Sequence, residues 1–129
     1  AMSTDTTPTR PVTLAVPTAA MAAVLVNIVV LLIGQAAGAS LVAGGQPVGF
    51  VQVIVATLAA FAVGALVLWL VARRHAERAR VLAWVGLVAA VLSTAAPLTM
   101  AAELTTGITL AVMHVATGVA WFIAAGRRG

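Results

Sequence analysis

Four long apolar runs, at residues 17–39, 48–72, 81–102 and 104–125, constrain this chain more than any other feature. A helix rises about 1.5 Å per residue, so about 20 residues cross the roughly 30 Å hydrocarbon layer of a bilayer. Each run meets that length. The expected architecture is all-α: a four-helix transmembrane bundle with short loops, multi-pass in the inner (cytoplasmic) membrane. The charge content agrees. Only 8% of the residues are charged and 63% are hydrophobic, whereas a soluble domain carries about a quarter charged residues. There is no cysteine, which excludes a disulfide framework and a thiolate metal site.

The basic residues set the expected orientation. All seven are arginines. Arg10 precedes the first span, Arg73, Arg74, Arg78 and Arg80 lie between the second and third, and Arg127 and Arg128 follow the fourth. These three places share one side of a four-span chain, and the other two loops carry no basic residue. The positive-inside rule then places both termini in the cytoplasm. Trp69, Trp84 and Trp121 fall near the same side, as an interfacial aromatic belt would. So one-sided a distribution also speaks against insertion in both directions. The arginines therefore read as topology signals and anionic-lipid contacts, and a nucleic-acid role is not expected. Residues 1–16, rich in Thr and Pro, read as a flexible cytoplasmic tail, and 127–129 as a cytoplasmic C-terminus. Ala37-Gly38-Ala39 resembles a signal-peptidase site, but the preceding apolar run is longer than a signal core, so an uncleaved anchor is expected.

In lipid, small residues mark helix contacts. On the first span Ala20, Ala23, Asn27, Gly34 and Gly38 share a side, with Leu25, Val29 and Leu32 opposite. Gly34 and Gly38 form a GxxxG pair. On the third span Gly86, Ala89, Ala90, Ser93 and Pro97 make a similar face. Pro97 has no N–H to give the Ser93 carbonyl, so a kink is expected. On the fourth span Thr106, Gly107, Leu110, His114, Thr117 and Trp121 align, with Ile108, Val112, Val115, Val119 and Ile123 turned away. Glu103 and His114 point the same way but lie about 16 Å apart along the axis, so they do not bond each other.

The polar groups are unevenly distributed in depth. Asn27 and His114 fall near the midplane. Gln35, Gln52, Ser93, Thr94, Thr99, Glu103 and Thr106 fall in the outer half, and the inner half is nearly pure hydrocarbon. An ionisable residue inside a membrane points to function by default, because charge there costs several kcal/mol. The pattern suggests an outward-facing pocket for a small lipophilic or weakly polar molecule. Its floor would be His114 and Asn27, its rim Glu103, and its walls Ser93, Thr94 and Thr106, with Gln35 and Gln52 in the same outer layer. Each residue also has a plainer role. His114 can bond Asn27 or a hydroxyl and staple the bundle at about 0.6 kcal/mol per bond. Glu103 can be a solvated acid at a helix N-terminus. The Ser and Thr side chains can bond their own i−4 carbonyls.

Two other classes of function remain open: a structural or accessory subunit of a larger membrane complex, and a proton-coupled small-molecule transporter. A homo-oligomer or larger membrane assembly is expected in each case. No cofactor or metal is implied. One intramembrane histidine cannot supply bis-His haem ligation within one chain, and there is no H-E-x-x-H or Cys/His cluster for zinc. A Ser93 nucleophile with His114 as its base is not excluded by spacing, since the two lie on different spans. Four spans, short loops, Arg-rich ends and the Met113-His114-Val115-Ala116 run in the last span together resemble small uncharacterised four-helix membrane proteins of actinobacteria. That resemblance implies the layout and brings no activity with it.

Overall fold

The computed structural model describes residues 12–126. Helix α1 spans Val12–Ala36, α2 Phe50–Ala72, α3 Ala79–Ser93, α4 Ala95–Met100 and α5 Leu104–Gly126, and a two-stranded hairpin, β1 Val42–Ala43 and β2 Gln46–Pro47, joins α1 to α2. Among the described residues, and with α3 and α4 taken as one broken span, four helical segments are long and apolar enough to cross a membrane. Helix α1 begins at Val12, inside the stretch expected as a tail; residues 1–11, like Arg127 and Arg128, lie outside the described residues.

Helix α5 is the centre of the bundle. It packs along α1 on one side and along α3 and α4 on the other, while α2 leans mainly on α1. The alternation on α5 explains this. Thr106, Leu110, Met113 and Trp121 are buried, whereas Ile108, Val112, Val115, Val119 and Ile123 are exposed. The expected small face of α1 is buried at Ala20, Ala23 and Asn27, and Leu25, Val29 and Leu32 point outward. Gly34 presses against α5, where a Cβ would lie 2.6 Å from Thr109 Cγ2. Gly38, its GxxxG partner, does something else. It has φ +88° and ends the helix. The Ala39 N–H reaches back to the Gly34 carbonyl and the Gly38 N–H to that of Gln35, at 2.9 and 3.0 Å, which is the Schellman arrangement.

Between the strands, Gly44 and Gly45 both have positive φ, as a two-residue hairpin turn of the right twist requires. Ala101 bridges to Ala43 on the other side of β1. The chain connections at this end are thus held by backbone bonds, including Gly44 N–H to Met100 and Ala102 N–H to Val42. We call it the hairpin end; the opposite end, with the 3₁₀ turn Ala76–Arg78, is the arginine end. The kink expected from Pro97 is present as a break at Thr94, between α3 and α4.

Two apolar clusters fill the interior. Leu31, Leu41, Val53, Leu110 and Met113 gather toward the hairpin end. Ala20, Ala23, Phe61, Leu68, Ala79, Ala83, Trp121 and Ala125 gather toward the arginine end. The buried Asn27 separates them. Trp69 and Trp84 are exposed, at 57% and 53%, and the Arg73 guanidinium lies 5.0 Å over the Trp69 ring. Trp121 corrects the expectation of a three-membered belt. It is only 8% exposed, its edge meets Phe61 at a 6.1 Å centroid distance, and its Nε1–H donates to the Leu82 carbonyl at 3.2 Å.

Candidate functional site in the seam between α2 and α3

Helices α2 and α3 touch each other little. The space between them is a cavity of about 810 Å³, closed at the back by α5 and α1, and within the range of small-molecule sites. What separates the two helices is Trp121. Its indole sits between Gly64 of α2 and Gly86 of α3. A Cβ on Gly64 would come within 2.8 Å of the ring, and one on Gly86 would overlap the indole nitrogen. The glycines make room for the wedge, and the wedge holds the seam apart.

The cavity wall is mostly Ala, Val, Leu and Gly, with Asn27, Gln52, Thr57, Ser93, His114 and Thr117 as its polar members. Among the described residues, no Asp, Glu, Arg or Lys lines it. At mid-depth two hydrogen-bonded sets face it. In the first, the Asn27 amide donates to Thr57 Oγ1 and to Thr117 Oγ1, both at 2.9 Å. Each of those hydroxyls has already given its proton to its own helix, at Val53 O and Met113 O. They can only accept, which fixes the amide with its NH₂ toward them. The Asn27 Oδ1 is left buried and without a partner among the described residues.

In the second set, Ser93 Oγ lies 2.7 Å from His114 Nδ1 and 2.7 Å from the Ala90 carbonyl. Two contacts this short need a proton each. They are satisfied together when Ser93 donates to Ala90 and the imidazole donates from Nδ1 to Ser93. His114 is then the Nδ1–H tautomer, and its Nε2 carries a lone pair. This arrangement joins the Ser93–His114 pair that spacing alone left open, but in the opposite sense to nucleophile activation. A base must receive the hydroxyl proton, and here the ring gives one.

The other expected site residues are dispersed. Gln52 lines the cavity at its hairpin end and accepts from the Gly49 N–H at 3.0 Å. Thr94 does not join Ser93. One residue on, it turns about 100° around the helix, bonds the Val91 carbonyl at 2.6 Å and lines a shallow groove on the far side with Leu98, Ile108 and Val112. Gln35 is exposed and not on the cavity wall. Glu103 and Thr106 are not its rim and wall either; they tie the loops together. Glu103 accepts from the Ser40 N–H at 2.8 Å and the Ser40 hydroxyl at 2.7 Å. It also accepts from the Thr106 hydroxyl, which itself receives the Leu41 N–H at 2.9 Å. The Thr106 hydroxyl, then the Ser40 N–H and hydroxyl, hold the Glu103 carboxyl below its ordinary value of 4.5. Leu41, with φ +56°, is kept in this unfavourable conformation by that bond and by burial of its side chain. His114 and Asn27 do not form the cavity's floor. They stand at mid-wall, and the space continues past them to Trp121, Val67 and Leu82.

Residues 7–129 match the family of unknown function DUF6069. The chain belongs to that family. This DUF6069 member has, among its described residues, four helical spans long and apolar enough to cross a membrane. No curated protein and no solved structure matches it. The residues of the site that spacing did not single out for it include Thr57, Thr117 and Trp121 and the two glycines Gly64 and Gly86. A stripe at Val53, Thr57, Phe61 and Leu68, buried along α2, was a signal for the first. The two glycines become meaningful once Trp121 is seen between them.

Proposed function

We propose that this protein binds a small lipophilic or weakly polar molecule inside the bilayer, in the seam between α2 and α3. The observation that carries this reading is the cavity of about 810 Å³, apolar along its length and polar at mid-depth. Lipid chains alone would fill an apolar groove. Polar groups on a lipid-accessible wall are costly, and a molecule with a matching polar group offsets that cost. By the arginine bias, the arginine end faces the cytoplasm, where Arg73, Arg74, Arg78 and Arg80 contact anionic lipid, and the hairpin end faces outward. The ligand enters sideways from the membrane, since Val63, Val67 and Val85 line the seam while 65%, 42% and 56% exposed.

The test is native mass spectrometry of the protein extracted from membranes in mild detergent. A discrete small-molecule adduct is expected. Ala89→Trp, which places an indole in the seam from an exposed position, should remove the adduct without lowering the melting temperature, and His114→Ala should weaken it. An adduct indifferent to both changes, or none on the wild-type chain, refutes the assignment. The same exposed valines favour one other reading, a structural subunit whose seam takes a helix of a second copy or of a larger complex. Cysteines placed at Val63 and Val85 would then cross-link between chains in membranes, and Ala89→Trp would abolish that cross-link.

A further inference from the structure

The donors and acceptors along the seam are unequal, and this gives the ligand a chemical class. The hydroxyls of Thr57, Thr117 and Ser93 give their protons to their own helices. The Asn27 amide commits both N–H bonds to two of those hydroxyls, and the Trp121 indole commits its own to Leu82. His114 Nδ1–H is committed to Ser93. What remains at mid-depth is acceptor capacity. His114 Nε2 has no partner among the described residues, and Asn27 Oδ1, though enclosed, is also unpaired. Uncommitted N–H bonds on the cavity wall remain on Gln52, at the hairpin end.

We propose that the seam receives a neutral lipophilic molecule carrying a hydroxyl, and that this hydroxyl donates to His114 Nε2. The proposal rests on the pocket reading above and names its ligand class. A cation is disfavoured because no acid among the described residues lines the cavity. An anion is disfavoured because the mid-depth wall has no free donor and no basic side chain other than a ring whose open nitrogen is an acceptor. An ether or ester of the same size fills the space but leaves that acceptor without a proton. An acceptor left unpaired once the ligand covers it is costly, and a preference of about tenfold for the alcohol is expected.

The experiment uses the protein in lipid nanodiscs with Trp69→Phe and Trp84→Phe. Both tryptophans are exposed, and their removal leaves Trp121, which lines the cavity, as the remaining fluorophore. The probes are a bromine-bearing dodecanol and its methyl ether, added at matched mole fractions in the bilayer, with quenching of Trp121 as the readout. Saturable quenching is expected at an about tenfold lower mole fraction for the alcohol than for the ether. With His114→Leu added, the alcohol should fall to the level of the ether, and the ether should keep its original value. If the two probes saturate equally on the protein with His114 intact, the hydroxyl inference is overturned and the pocket stands. If the alcohol preference survives His114→Leu, the acceptor is not Nε2 and the inference is overturned. If neither probe saturates, the pocket itself is refuted. The comparison of probes needs no change at His114, so a poorly folded variant does not blunt it.

Discussion

The α3–α5 and α2–α3 seams are built from the same small residues, yet one is closed and the other open. Along α3–α5, Gly118 meets Ala90 so closely that an added Cβ would overlap the alanine methyl, and the helices touch over most of their length. Along α2–α3, Ala56, Ala60, Gly64, Gly86 and Ala89 would permit the same approach, and the helices stay apart. Small side chains therefore allow contact without causing it. In lipid the drive comes from packing and from pairing polar groups. The first seam has both, through Gly118 and the Ser93–His114 bond. The second has neither at mid-depth, and it has an indole between its walls.

The contrast makes graded predictions. Gly118→Ala should do the most damage, because the methyl it meets is fixed to the backbone of α3. Overpacking of this kind costs about 1–3 kcal/mol, and a melting-temperature loss to match is expected in detergent. A neutral result would mean that the α3–α5 seam is looser than its geometry. Gly64→Ala meets the rim of the Trp121 ring, at 2.8 Å, which is the far end of a side chain and can give by a few tenths of an ångström. It should cost less than Gly118→Ala, about 1 kcal/mol, and should shift Trp121 emission. If Gly64→Ala proves the more harmful, the wedge is rigid and the open seam is as tightly specified as the closed one.

The smallest effect concerns the loops that close both seams at the hairpin end. The carboxyl of Glu103 is held below its ordinary value by Thr106 and Ser40. The stabilisation it gives is thus complete above the ordinary glutamate value and disappears as pH falls through the depressed one. A spin label at the exposed Gln46 should gain mobility across that acidic window. In Glu103→Gln the label should be more mobile at neutral pH and insensitive to acid. An identical acid response in the glutamine variant would show that Glu103 does not hold the loops.

The parts of this structure that follow one helix were legible in the sequence. The four spans, the outward valine row of α5, the small face of α1 and the break near Pro97 all depend on residues within a few turns of each other. The parts that needed a second helix were not. Trp121 stands close to arginines and reads as interfacial; its burial depends on Gly64 and Gly86, which lie on two other spans. Glu103 looked solvated because Ser40, its partner, is a loop residue far away in sequence. Thr94 and Ser93 are neighbours in depth, but the helical turn between them sends one to the cavity and the other to the opposite side. The pair Gly44-Gly45 carries a local hairpin signal, because two adjacent glycines suit the positive φ angles of a two-residue turn.

The central place of α5 also bears on how the protein is made. The ribosome delivers α1, α2 and α3 first, and of these only α1 and α2 have an extensive interface with each other. Until the last span arrives, Ser93 has no imidazole to meet, and Asn27 holds Thr57 but not Thr117. The keystone is thus laid last. A chain halted after its third crossing would sit in the membrane as a hairpin and a stray helix, an easy substrate for quality-control proteolysis.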